Sequence, residues 1–313
     1  MNSIASGIGI DVSKGRLDVK VPGLRAFACS NTKEGVEELL ARLPERLPIT
    51  MESSGGFERL ATKLLRAEGF SVNLLNPKRT KQFAGAMGRN AKTDSLDAEI
   101  LGLAGVVMPT PIEKTQERQG LCDHSRRIQK VTKQLEGVRK QLQSPELDSY
   151  ALDSLLRTEV FLAGEKKRLE KEFALRVKTT NMARNYRLVQ TIPGVGPVTA
   201  RVIVTELPLD LANLSPRQLA GYAGVAPMDN SSGQSEKKKK LSKGNKHLKA
   251  ALYCPATNCV RFQTWASELY KKLTAKGKSH QSAIVAVMRR LLLQIVAVLK
   301  RGTPWVDDFA LST

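Results

Sequence analysis

At 313 residues the chain is long enough for two cores, and an apolar fraction of 41% with little low-complexity sequence excludes a disordered protein. Fifty Lys and Arg against thirty Asp and Glu leave a formal charge of +20, which calls for a polyanionic partner. Nucleic acid is the first choice and an anionic membrane surface the second. No apolar run is expected to span a bilayer, since the longest candidate, 283–299, is broken by Arg289, Arg290 and Gln294. No charged-then-apolar leader precedes Gly7, and Cys29, Cys122, Cys254 and Cys259 form no C-x-x-C pair. A reduced, cytoplasmic protein is expected. The charge is uneven: fifteen basic face twelve acidic residues up to residue 108, and thirty-five face eighteen beyond it. That asymmetry points to a chemical domain followed by a polyanion-holding one.

The chain begins with a short apolar run, Gly7-Ile8-Gly9-Ile10-Asp11-Val12, then a Lys14-Gly15-Arg16 connection and the alternating Leu17-Asp18-Val19-Lys20-Val21. This reads as a β-hairpin whose first strand is buried except at Asp11. A lone buried carboxylate is costly, so Asp11 predicts a cation or other acids sharing one. A third strand is expected over 25–31, a helix from Thr32 to about Leu43, and a strand Ile49–Glu52 running into Ser53-Ser54-Gly55-Gly56. A helix over 57–68, a strand over 70–75, and a basic helix and loop over 78–90 follow. Three leading strands and then alternation make an α/β sheet with a meander at its start. Lys92-Thr93-Asp94-Ser95-Leu96-Asp97 leads into an apolar helix over 100–107, and Pro109 and Pro111 close the segment. The domain bounds are read as 1–110, 111–182 and 183–313.

From 115 to 182 the sequence is charged and helix-favouring. Ile128, Val131, Leu135, Val138 and Leu142 recur at threes and fours, as do Leu152, Leu155, Leu156, Val160, Phe161 and Leu169 beyond Ser144-Pro145. A helical hairpin or coiled-coil spacer is predicted, with self-association as its plain role. The end, 250–301, reads as mostly helical, and helical spacing favours core positions for Tyr253, Trp265 and Tyr270.

Three groups of residues carry chemistry. Asp11 and Glu52 end predicted strands, and Asp94 and Asp97 share one face of a helix start. Four convergent carboxylates cannot all ionise without cations, and Mg²⁺, with Mn²⁺ as a substitute, is the hard divalent ion such a site holds at a scissile phosphate. Singly, the helix acids could be dipole-facing caps and Glu52 a turn acid. Second, Ile192-Pro193-Gly194-Val195-Gly196-Pro197 between helical segments reads as a helix-hairpin-helix turn. Gly194 and Gly196 would let backbone amides approach a phosphate, although an ordinary tight turn has the same spacing. Third, Ser231-Ser232-Gly233-Gln234-Ser235-Glu236 precedes Lys237, Lys238, Lys239 and Lys240, followed by Ser242, Lys243 and Lys246. This is a basic, phosphate-binding loop. A serine nucleophile there is one reading, a flexible polar residue the other, and the residues alone do not separate Ser231, Ser232, Ser235 and Ser242.

In order along the chain, Ile8-Gly9-Ile10-Asp11-Val12-Ser13-Lys14, Met51-Glu52-Ser53-Ser54-Gly55, Asn76-Pro77, Lys92-Thr93-Asp94-Ser95-Leu96-Asp97-Ala98, Ile192-Pro193-Gly194-Val195-Gly196, Leu219-Ala220-Gly221-Tyr222-Ala223-Gly224 and Leu241-Ser242-Lys243-Gly244 resemble one family. It is that of insertion-sequence transposases with an N-terminal RuvC-like DEDD domain and an essential serine in a C-terminal domain, some of them bridge-RNA-guided recombinases. The resemblance implies a RuvC-like (RNase H) fold, a coiled-coil connector, and a mainly α-helical C-terminal domain. It maps the acids onto Asp11, Glu52, Asp94 and Asp97 and the serine onto Ser232, with Ser231 adjacent. It also implies donor and target DNA, a structured non-coding guide RNA, and a homo-oligomer, dimer or tetramer, without a membrane. The reaction it implies is transesterification through a phosphoserine–DNA ester. A RuvC-like structure-selective endonuclease using metal-activated water is the alternative, and a nucleic-acid-packaging protein a third.

Overall fold

The computed structural model describes residues 7–44, 47–88, 94–108, 115–208, 211, 213–228, 240–241 and 244–306, without the side chains at 94–96, 228 and 240–241. The chain divides into two compact units, Met1–Ile112 and Glu113–Thr313.

The first unit opens with strands β1 (Ile8–Val12), β2 (Arg16–Lys20) and β3 (Phe27–Ser30), joined as an antiparallel meander. Helix α1 (Lys33–Arg42), capped by the Thr32 hydroxyl accepting from Gly35 N–H, then crosses to β4 (Ile49–Glu52). Helix α2 (Arg59–Ala67) leads to β5 (Val72–Leu75), and helices α3 (Pro77–Ala86) and α4 (Asp94–Val107) complete the unit. The sheet order is β3-β2-β1-β4-β5, with β4 parallel to both β1 and β5. This is the α/β sheet with a leading meander that the sequence predicts. The last helix begins at Asp94 rather than Ile100, because its polar first turn continues the apolar one.

Period-2 alternation gives the sheet two faces. Ile8, Ile10 and Val12 join Leu17, Val19, Ile49 and Met51 in a core closed by Val36, Leu39, Ala61 and Leu65 of α1 and α2. The other face of β1 offers Gly9 and Asp11. A Cβ on Gly9 would lie 1.7 Å from the Ala98 oxygen, and one on Gly102 would lie 2.4 Å from the Gly7 oxygen. Helix α4 therefore rests directly on the backbone of β1, and Gly7 N–H donates to the Gly102 carbonyl at 3.2 Å.

The second unit begins with two long helices, α5 (Gln116–Gln141) and α6 (Ser149–Lys178), packed through Leu121, Ile128, Val131, Leu169 and Phe173. The predicted seam holds only at one end. Leu152, Leu156, Val160 and Phe161, in the first half of α6, are exposed. Helices α7 (Ala183–Val189), α8 (Pro197–Glu206) and α9 (Pro216–Ala223) follow. A two-stranded ribbon, β6 (Pro227–Met228) and β7 (Lys240–Leu241), comes next, then α10 (Lys246–Phe262), α11 (Thr264–Ala275) and α12 (His280–Arg301). Contrary to the sequence reading, α12 is long and apolar enough to cross a membrane by length and composition. Its Leu291, Leu292 and Ile295 nevertheless sit in the core with Ile203, Leu248 and Leu252. Burying each such side chain stabilises by about 1.5–3 kcal/mol, the role of a core helix. Trp265 and Tyr270 pack against this core as expected, but Tyr253 does not: it is 46% exposed.

Candidate active site and nucleic-acid interface

The contact of α4 with β1 also fixes the acids. Ala98 lies over Gly9 and Gly102 over Gly7, so the helix runs opposite to the strand. Its first turn is thereby carried to the end of β1 where Asp11 stands. Parallel pairing of β4 with β1, Ile10 opposite Met51, brings Glu52 to the same edge. Burial raises the Glu52 pKa, and the Asp11 and Asp97 carboxylates raise it further, while a hydrogen bond from Thr80 on α3 opposes them. Three of the four predicted acids thus share one electrostatic site. The Asp94 side chain lies outside the described residues, although its backbone opens α4. Among the described residues no three His, Cys, Asp or Glu side chains already form a group that could hold a metal ion.

Sequence reasoning missed two neighbours. Asp18 stands directly across from Asp11 and would add to its repulsion, but Arg16 holds it at 2.6 Å. Glu58 closes the Gly55-Gly56 turn after Glu52, accepting from Ser54 N–H at 3.1 Å, Ser54 Oγ at 3.0 Å and Gly56 N–H at 2.8 Å. Burial pushes the Glu58 carboxyl up, but these hydrogen bonds outweigh it and its pKa is lowered. Glu58 is therefore a structural anion. Glu52, with a raised pKa and like charges beside it, is the one that gains from a cation. The donor set of hard carboxylate oxygens suits Mg²⁺, which binds through few carboxylates and completes its shell with water and phosphate oxygens.

In the second unit, Ser231, Ser232, Lys237, Lys238, Lys239 and Lys243 lie outside the described residues, as does the Lys240 side chain. The base of their loop is described. Pro227 pairs with Leu241 and Met228 with Lys240, so β6 and β7 form an antiparallel ribbon. Below it, Gly244 takes φ +38° and a Cβ there would meet Gly224 N at 2.1 Å, a crossing that only glycine permits. Asn245 N–H donates to the Tyr222 carbonyl at 2.6 Å.

Asn245 has two further tasks. Its Oδ1 caps α10, accepting from His247 N–H at 3.0 Å and Leu248 N–H at 3.1 Å, and its Nδ2 donates to Glu206 Oε2 at 2.9 Å. Glu206 is 1% exposed. Arg126 of α5 binds it through Nε at 2.7 Å and Nη2 at 3.1 Å, and Cys122 Sγ donates at 3.2 Å. Tyr222 Oη donates to the Glu206 carbonyl at 2.8 Å. The hairpin base is thus locked to α5 by an ion pair whose carboxylate is buried and whose arginine is partly exposed. Cys122 is spent here, and His124 Nε2 bonds the Leu169 carbonyl at 3.0 Å.

The glycine turn is described throughout. Gly194 takes φ +83° and lies against Cys259 Sγ at 3.2 Å and the Pro255 carbonyl at 3.5 Å, counted from its would-be Cβ. Gly196 caps α8 and Pro197 takes its first position. Gly194, Gly196, Pro197 and Val198 are exposed, whereas residues 199–206 of α8 are buried. The helix is anchored in the core; Pro197 has no N–H, so Gly196 and Val198 are the exposed residues whose amides can face a phosphate. Lys246 is exposed at the start of α10.

Comparison with known proteins bears on both units. Residues 186–271 match the family described as "Transposase IS116/IS110/IS902 family", and residues 8–152 match the DEDD segment of IS110 transposases, described as "Transposase". Over 319 residues the chain is 26% identical to the pilin gene-inverting protein of Moraxella lacunata, covering 95% of this chain and 97% of that one. Its counterpart in Moraxella bovis is 25% identical over 318 residues, with the same coverage. An uncharacterized 43.6 kDa protein of the insertion element IS110 from Streptomyces coelicolor is 31% identical over 117 residues, 37% of this chain and 29% of that one.

Proposed function

Because the chain belongs to the IS116/IS110/IS902 family of transposases, we propose that it is the DNA recombinase of an insertion sequence, working by metal-assisted transesterification with Ser232 as nucleophile. The observation that carries the reading is the carboxylate cluster: Glu52 is half-buried and raised by both Asp11 and Asp97, an arrangement that costs the fold unless a cation answers it. In this reading Asp11, Glu52, Asp94 and Asp97 of a RuvC-like domain hold Mg²⁺, which when bound neutralises charge on the scissile phosphate.

The chain's own residues do the rest. Ser232 Oγ forms a bond to phosphorus as the strand's sugar oxygen leaves; the serine gives up its proton and the leaving oxygen gains one. The bond energy stays in a phosphoserine ester, so a strand hydroxyl can reverse the step and reseal without ATP. The long relatives support rejoining over simple cutting, since inverting a gene, as their name states, requires every broken strand to be rejoined. Lys237, Lys238, Lys239, Lys240, Lys243 and Lys246 hold strand phosphates, with the Gly194–Gly196 turn as a second contact. Target choice falls to base pairing with a structured guide RNA, for which the family resemblance is the support. Exposed Leu152, Leu156, Val160 and Phe161 on α6 support a dimer or tetramer.

The test is adduct trapping. Labelled donor DNA incubated with Mg²⁺ should yield a protein–DNA species that survives denaturation and vanishes in Ser232→Ala. Cleavage that persists in Ser232→Ala, with free ends and no adduct, would instead make the protein a water-using nuclease.

A further inference from the structure

Helix α10 leaves the locked base of the serine loop and runs to the glycine turn. Its buried side is complete: Leu248, Leu252, Ala256 and Cys259 all lie in the core. Its other side carries Lys246, Tyr253 and Arg261, spaced by seven and eight residues and so on one face. Tyr253 on this face is 46% exposed. No acidic residue occurs in α10, and Lys249 adds a further positive charge. Lys246 and Arg261 are about 22 Å apart along the axis. The face starts shortly after β7 and ends at Arg261, beyond Asn258, whose Cβ would lie 4.0 Å from a Cβ on Gly194 of the turn.

We infer that this face of α10 is a stacking strip for unpaired DNA, with Tyr253 as its base platform and Lys246 and Arg261 gripping the phosphates on either side of it. An exposed tyrosine amid cations on an acid-free helix matches the chemistry of single strands: aromatic faces for bases and a positive track for phosphates. Duplex DNA hides its base faces and would gain only the charges. The inference rests on the recombinase reading, because strand exchange unpairs DNA beside Ser232 and the strip starts where that loop ends.

The experiment measures binding of full-length protein to a short oligothymidine, the matching oligouridine and a duplex of equal length, over a salt series. Tyr253→Ala should bind oligothymidine about ten-fold more weakly, with unchanged melting temperature and duplex affinity. Tyr253→Phe, which keeps the ring, should bind like the parent. Lys246→Ala and Arg261→Ala should weaken all three probes and flatten the salt slope. Oligothymidine binding unaffected by Tyr253→Ala, an equal loss on duplex, or tighter binding of oligouridine would overturn the strip. If the Ser232 adduct still formed in that case, the recombinase reading would stand alone. A parent protein that bound none of the probes would overturn both.

Discussion

Replacing Gly9 by alanine perturbs the acidic site without touching an acid. The added methyl would lie 1.7 Å from the Ala98 oxygen and 2.6 Å from Gly102 N, both backbone atoms of α4, so no side chain can swing aside. Ordinary contact needs roughly 3.5 Å, and α4 must lift or slide by about 1–2 Å to supply it. Overpacking of this kind costs about 1–3 kcal/mol, which for a unit of this size lowers the melting temperature by roughly 5–15 °C. The functional loss should be larger. Asp97 precedes Ala98 and moves with it, and a misplacement of about 1 Å at a reacting centre can cost on the order of 100-fold in rate. Gly15→Ala is the control, since its methyl would meet nothing within 4 Å. The assay pairs thermal unfolding with Mg²⁺-dependent cleavage of labelled DNA. If Gly9→Ala matched Gly15→Ala in both, the proposal that α4 positions the acids by resting on β1 would be wrong.

Two other outcomes follow from the same structure. Burial and two like charges raise the Glu52 pKa, so ionising it costs the folded state; the penalty is absent at acid pH and complete above the raised pKa. Glu52→Gln should therefore melt a few degrees higher than the parent at neutral pH and lose that advantage in acid. Added Mg²⁺ should stabilise the parent and leave the variant nearly unmoved; equal melting at neutral pH would refute the cluster. Arg126→Ala removes the cationic partner of the buried Glu206 carboxylate and leaves it the neutral donors Asn245 and Cys122; because Arg126 is also 40% exposed, the loss should be about 2–3 kcal/mol rather than the larger cost of a wholly buried pair. Arg126→Lys should recover only part of this, as one ammonium cannot reproduce the two guanidinium bonds. An unchanged melting temperature in Arg126→Ala would show that the tie does not hold the hairpin base.

The strands of the first unit were legible because short apolar runs end in turn signals and β2 alternates with period two. The meeting of Asp11, Glu52 and Asp97 followed from strand ends and helix starts. The mounting of α4 was not legible: Gly102 lies against the β1 backbone and Gly105 against the Thr50 side chain, contacts between residues far apart in the sequence. Glu206 escaped notice because its worth depends on Arg126, eighty residues away. Tyr253 was assigned to the core from helical spacing, but it directly follows Leu252, and one residue turns a helix by about 100° and carries the ring from the core side to solvent. The exposed half of α6 shows the same limit, since periodicity reports an apolar stripe and not what covers it.

The account turns on whether Ser232 and the carboxylates act in one reaction. Peptide mapping of protein incubated with labelled DNA, with Mg²⁺ or with EDTA, examines this directly. The prediction is a nucleotide attached to the peptide containing Ser232, formed with Mg²⁺, and absent with EDTA and from Asp11→Asn. An adduct that formed without metal or persisted in Asp11→Asn would contradict the account, as would cut DNA with every end free.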